Sequence, residues 1–258
     1  MFNRFLGSRG LLALNGKAKL FATIGGLSAA NLYYFNSIHK IENSTSPIRE
    51  DTVRIDKKIK EIETQYSFDN QSKWNLLAYG VRAVTFMKFR IYALSIYSNS
   101  ESIKKLDDFF TRNSIKQVDL DEELCVDILE RENIEFMARI TPLRDTTYEH
   151  LREGLIRSAM SAKESKLEPV AMVEAVNTFR SNAMQRNGSV LVNDDLIIFK
   201  NKNNTLTLFH VDYKTKEYTK IGTCSHKLFG IALFSKYLNY DAPLTKEAQK
   251  RFSSFFSL

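Results

Sequence analysis

At 258 residues, with 43% hydrophobic and 26% charged side chains, the chain is long enough for one substantial core plus appendages, and neither wholesale disorder nor a multi-span membrane protein fits. The formal charge of +7 invites a nucleic-acid reading, yet residues 1–41 hold Arg4, Arg9, Lys17, Lys19 and Lys40 with no acid at all, so the excess is mainly N-terminal and no nucleic-acid function is expected. Cys125 and Cys224 are the only cysteines, far apart and outside any CxxC spacing, so neither a structural metal nor a disulfide framework is predicted.

The opening MFNRFLGSRGLLALNGKAKLF mixes Arg and Lys with Leu and Phe, carries Ser and lacks acids, which is the composition of a mitochondrial presequence over residues 1–19. Residues 20–38 begin LFATIGGLSAANLYYF and carry no charge, with small residues inside and Tyr33 and Tyr34 available as an interfacial anchor. They read as a single membrane segment, short for a span. A presequence followed by one apolar segment predicts an inner-membrane protein with its domain facing the intermembrane space; the alternative is a longer cleaved leader on a soluble matrix protein. Residues 39–51 are polar, hold Pro47 and read as a linker, which leaves 52–258 for the folded domain.

Within that domain, WNLLAYGVRAVTFMKFRIYALSIYS at 74–98 is dense in aromatic and β-branched residues and predicts two long strands turning near Met87 to Phe89. Residues 101–113 and 120–132 read as surface helices, and Glu135 to Leu143 as a strand. Thr146 or Thr147 can cap a helix running to about Lys163, with Glu149 in its first turn. Pro169 opens the next helix, where Val170, Val173, Val176, Phe179 and Met184 recur at helical spacing before Gly188. Three β segments follow at 189–200, 205–212 and 217–223, and helices at 225–240 and 244–256 close the chain. Strands, then helices, then hairpins and a last helical run predict an α+β fold: an antiparallel sheet with helices packed on one face.

Three stretches carry a resemblance: YGVRAVTFMKFRIYALSIY at Tyr79–Tyr97, RITPLRDTTYEHLREGLIRS at Arg139–Ser158, and the approach and helix ending HKLFGIALFSKYLN, Ile221 to Asn239. The chain resembles the chalcone-isomerase-like family, and the RDTTYEHLRE wording is most similar to its fungal altered-inheritance-of-mitochondria branch. The resemblance implies the chalcone isomerase fold, with a ligand cavity in the domain.

Arg82 lies between Val81 and Ala83 in a strand so apolar that its guanidinium must snorkel to an edge, pair with a buried acid, or meet an anion or carbonyl in a cavity. The resemblance favours the cavity, where the matching arginine of plant enzymes polarises a ketone. It further implies that Arg139 stands in for a cavity lysine and Tyr148 for a cavity tyrosine. Tyr92, Leu155 and Lys236 replace, respectively, a threonine, an asparagine and a threonine or serine. Buried hydrogen-bonding sites lose about 1 to 3 kcal/mol per unpaired group, so chalcone cyclisation is not expected from a site altered at three positions.

The ligand expected instead is haem or a similar flat, apolar anion, with its carboxylates on Arg82 and Arg139; the haem is implied by the fungal branch, not by composition. Histidines 150, 210 and 226 are the weak candidates for an iron ligand. His150, two residues past Tyr148, points about 200° away from it on a helix. His210 alternates with apolar residues as a sheet-face side chain would, and His226 falls where a helix begins. The alternatives are an intramolecular lyase using Arg82 and Tyr148, a fatty-acid binder, and a structural protein of the membrane surface. No phosphate loop, Rossmann glycine pattern, HExxH or nucleophile elbow is present.

Overall fold

The computed structural model describes residues 52–67, 73–84, 89–116, 120–239 and 246–258. The leader, membrane segment and linker expected before residue 52, and the turn expected at 85–88, lie outside them.

The chain enters through β1 (Thr52–Val53), β2 (Ile62–Glu63) and β3 (Gln65–Ser67). The aromatic-rich stretch then forms two long strands, β4 (Lys73–Val84) and β5 (Phe89–Asn99). Next come α1 (Ser100–Asn113) and α2 (Glu122–Arg131), each opened by a side chain that accepts from a backbone N–H, Asn99 from Ser102 and Asp121 from Leu124. Strand β6 (Phe136–Pro142) leads through β7 (Thr146–Thr147) into α3 (Tyr148–Met160). Thr147 is the cap, its hydroxyl accepting from His150 N at 3.1 Å.

After α4 (Lys163–Leu167), α5 (Pro169–Asn182) starts on its proline, whose missing N–H costs nothing in the first turn. Strand β8 (Ser189–Val190), which pairs with β7, and the meander β9 (Asp195–Lys200), β10 (Leu206–Val211) and β11 (Tyr218–Cys224) precede α6 (Lys227–Leu238) and α7 (Lys246–Phe255).

Seven strands form one sheet in the order β11-β10-β9-β6-β5-β4-β3, antiparallel throughout. Side chains alternate between its faces, so the register sorts them. Phe136, Ala138 and Ile140 of β6 join the cluster that includes Phe179, Phe229 and Phe234 of the helices. Met137 turns the other way, into a smaller cluster with Tyr66, Trp74 and Tyr97. The helices thus pack on one face, as predicted. The strap of residues 52–67 crosses part of the other.

All seven residues of β6 are buried, which is why its sequence reads as one apolar run despite the arginine in it. Helix α6 is buried at every residue from Leu228 to Leu238 and forms the hub of the helical layer. Gly230 permits its approach to the β9–β10 turn: a Cβ there would stand 2.1 Å from the Asn204 carbonyl oxygen.

Helix α5 departs from expectation. Its inward face is Met172, Ala175, Val176 and Phe179, while Val170 and Val173 are 83% and 58% exposed. Met172 in the same turn is buried, so the covered stripe is the one centred near Phe179; Val170 and Val173 are turned about 180° and 120° from it on the helix and face outward. The helix also ends at Asn182 rather than at Gly188.

Candidate ligand site

Arg82 sits near the end of β4, directly opposite Tyr92 of β5, with a bulge in the ladder immediately after it. Such a bulge tilts the strand and re-aims its side chains. Directly paired residues share a face, and Tyr92 belongs to the helix-side core, so Arg82 also faces the helices. Its Nη1 donates to the Tyr92 hydroxyl at 3.1 Å and reaches Ser158 Oγ of α3 at 3.5 Å. The guanidinium carbon lies 5.6 Å from the Tyr92 ring centroid.

No ion pair joins Arg82 to an acid among the described residues; its surroundings are hydroxyls. Burial disfavours its charge, but Tyr92 and then Tyr237 offset this and the net pKa direction is upward, so the cation persists. The Tyr237 hydroxyl, on α6, is buried without a hydrogen-bond partner among the described residues. Burial, reinforced by Tyr92 and opposed by Arg82, holds its pKa well above the ordinary phenol range, so it stays neutral. Leu155, one turn before Ser158 on the same face of α3, is buried in the helix-side core that also holds Tyr92. The arrangement is a half-buried cation, three neutral hydroxyls and greasy walls, which is chemistry suited to one carboxylate.

The other expected site residues are elsewhere. Arg139 is three β-ladder steps from the Pro142 that pairs with Tyr92, an odd number, so it faces away from the helices. There it is 1% exposed and locked: Nη2 meets Asp195 at 2.9 Å and Nη1 meets Glu63. Lys60 of the strap joins Asp195 at 2.8 Å, and Thr141 donates to the same carboxylate. Burial alone would raise the Asp195 pKa, but Arg139 and Lys60 hold it below the ordinary carboxylate value. The expected clamp of two arginines on one ligand is therefore corrected, because the sheet separates them.

Tyr148 is buried at the far end of α3, about 15 Å along the helix from Ser158 at 1.5 Å per residue. Its ring meets that of His210 on β10 at 5.5 Å, with Arg186 5.8 Å from its centroid. Four strand spacings, about 19 Å, separate β10 from β4. Tyr148 and Arg82 are thus not a pair. Lys236 forms a buried ion pair with Glu122 of α2 at 3.2 Å, and the other oxygen of Glu122 accepts from Lys163 N. It ties three helices together instead of lining the site.

Of the histidines, His150 is exposed on α3. His210 is 3.1 Å through Nε2 from Asp194, which also accepts from the N–H groups of Leu191 and Tyr213. His226 precedes α6, about 16 Å along its axis from Tyr237. Both cysteines are buried and unbridged. Ser158 and Tyr237 were missed from sequence. Each had a faint signal, Ser158 one turn past Leu155 and Tyr237 one position past Lys236.

A family model described as chalcone isomerase like matches residues 72–253. The protein of Kluyveromyces lactis named altered inheritance of mitochondria protein 18, mitochondrial, is 30% identical over 93% of this chain and 80% of its own length. Its namesake in Vanderwaltozyma polyspora is 31% identical over 92% of this chain and 83% of its own. Among solved structures, an Arabidopsis thaliana fatty-acid binding protein superposes with a TM-score of 0.58 at 16% identity, covering 80% of this chain and 98% of that one. At that identity the likeness carries the fold alone.

Proposed function

Since the chain belongs to the chalcone-isomerase-like family, we propose that it is a mitochondrial member whose domain binds an apolar carboxylate and does not cyclise chalcones. The observation behind this reading is Arg82, a half-buried cation inside the helix–sheet interface that contacts hydroxyls and no acid among the described residues. A partly desolvated charge gains from a counter-ion, so an anion from outside is the completion this reading assigns to the site. A long-chain fatty acid is the first ligand to try, since the Arabidopsis protein of the same fold is titled for one. The acid-free leader and the names of the fungal relatives support the compartment. Residues 1–19 would be the presequence, 20–38 the inner-membrane tether and 39–51 the linker, with the domain in the intermembrane space; release by carbonate extraction would refute the tether.

The test of the site is dodecanoic acid binding to the full-length chain. Arg82→Ala should weaken it more than tenfold, since hydrogen bonds to charged groups contribute about 1.5 to 3 kcal/mol. An unchanged affinity would remove Arg82 from the site.

Haem fits these residues less well. Arg139 is committed to Asp195 and Glu63 on the other face, and the described histidines lie away from Arg82, so among the described residues the nearby donors this leaves are the phenols of Tyr92 and Tyr237. A Soret band in the purified chain that disappears with Arg82→Ala would restore that reading. The lyase reading asks for Arg82 and Tyr148 on one substrate, and they stand near opposite ends of α3.

A further inference from the structure

The carboxylate reading leaves one group of atoms unexplained. Six buried side-chain atoms lack a hydrogen-bond partner among the described residues, and three belong to Tyr237 and Gln249. The others are a single nitrogen each on Arg139 and Arg152, which bond through their remaining nitrogens, and on half-exposed His226. Gln249 differs from all of these: it is 3% exposed, and both ends of its amide are unpartnered. Native interiors rarely leave a whole amide unpaired, so the amide calls for a partner that the described residues do not supply.

The register of α7 shows where that partner would lie. Arg251 donates to the Tyr79 carbonyl oxygen at 2.6 Å and stacks 4.0 Å from the Tyr79 ring, which fixes α7 along β4. Gln249, two residues earlier, points about 200° away from Arg251 on the helix. Arg251 is half-exposed and Gln249 buried, so the amide is the inward-facing one. Phe252 packs on Phe110 and Phe136, at the end of the sheet where β4 starts and β6 begins. The part of α7 that carries Gln249 therefore lies toward the Arg82 end of β4. Tyr237, on the hub helix, is near enough to Tyr92 and Arg82 for their charges to act on its phenol.

We infer that Gln249 and Tyr237 form a second hydrogen-bonding station beside Arg82, and that the ligand is an apolar carboxylic acid bearing a hydroxyl group a few carbons from its head. The inference rests on the carboxylate reading above. An amide and a phenol each donate and accept, and an alcohol is a group that uses both capacities at once. A plain alkyl chain laid past them would leave all three atoms unpaired. A hydroxyl at that point satisfies the amide while the carboxylate occupies the guanidinium.

The experiment compares dodecanoic and 3-hydroxydodecanoic acids by calorimetric titration of the purified full-length chain. The hydroxy acid should bind about tenfold more tightly, the effect of one net hydrogen bond of ~1.4 kcal/mol. Gln249→Leu should abolish that preference by weakening the hydroxy acid alone, and the isosteric Tyr237→Phe should reduce it. The ligand-free Gln249→Leu protein should melt no lower than the parent, since it loses an unpaired buried amide. Equal affinity of the parent chain for the two acids, or an equal loss of both in Gln249→Leu, overturns the inference and leaves the carboxylate reading intact. Failure of the parent chain to bind either acid overturns both. A clear drop in the Gln249→Leu melting temperature would assign the amide to the fold and also overturn the inference.

Discussion

Arg82 and Arg139 stand on opposite faces of the same antiparallel sheet, both embedded in strands that read as apolar, and they have opposite fates. Arg139 is enclosed by Asp195 and Glu63 beneath the strap of residues 52–67. Arg82 is surrounded by the hydroxyls of Tyr92 and Ser158 and by Leu155 and the helical core. What a buried cation does is set by what faces it. Enclosure by acids makes a structural staple, and enclosure by neutral hydroxyls leaves a charge that can recruit a ligand.

The comparison breaks most easily at Arg139. Arg139→Met leaves the Asp195 carboxylate, 2% exposed, with only Lys60 and Thr141 against it, and should cost about 3 to 5 kcal/mol in urea unfolding. A cost below about 1 kcal/mol would mean that the network does not hold the strap.

A third sheet cation sharpens the contrast, because a lysine, unlike an arginine, can shed its charge. Lys200 is fully buried and donates to the carbonyls of Ile134 and Asn201 and to the side chain of Asn204. Burial, partly opposed by Glu135, pushes its pKa down to about 7. Between that value and the ordinary lysine value the unfolded chain binds more protons than the folded one. Stability should therefore rise with pH across that window, by up to about 1.4 kcal/mol per pH unit. Below pH 7 both states are protonated and the slope from this group vanishes. Lys200→Met should lack the rise in unfolding curves measured from pH 7 to 10, and an identical slope in the two proteins would refute the assignment.

The smallest expected effect is at Arg82 itself. Arg82→Met removes a half-buried charge that no acid among the described residues balances, so unfolding free energy should change by less than about 1 kcal/mol even though ligand affinity falls. A loss as large as that of Arg139→Met would make Arg82 a second structural staple.

Much of the fold was legible in the residues. The aromatic and β-branched run at 74–98, the Thr147 cap and Pro169 at the start of α5 are local signals, and local chemistry decides them; of the three β segments expected after Gly188, the first is divided into β8, which pairs with β7, and β9, which joins the large sheet. The two exposed valines of α5 show where periodicity fails: a helix has an apolar stripe wherever its sequence repeats, but a neighbour must be present to cover it. The candidate site was half legible. Arg82 and Tyr92 face each other across one hairpin, ten residues apart, and their pairing follows from strand register. Arg139 sits on a strand whose apolar character comes from burial on both faces, and nothing local says which face an arginine takes. Lys236 and Glu122 are 114 residues apart, as remote as sequence signals are silent.

The amino-acid sequence alone determined the class of the fold, its family resemblance and a cation planted in apolar β structure, since these depend on periodicity, capping and short motifs. Only the tertiary structure decided which cations share a face, which acids neutralise them and which polar atoms are left without partners. Those outcomes depend on strand register and on the crossing of helices over the sheet, where a shift of one residue exchanges a ligand-facing side chain for a structural one.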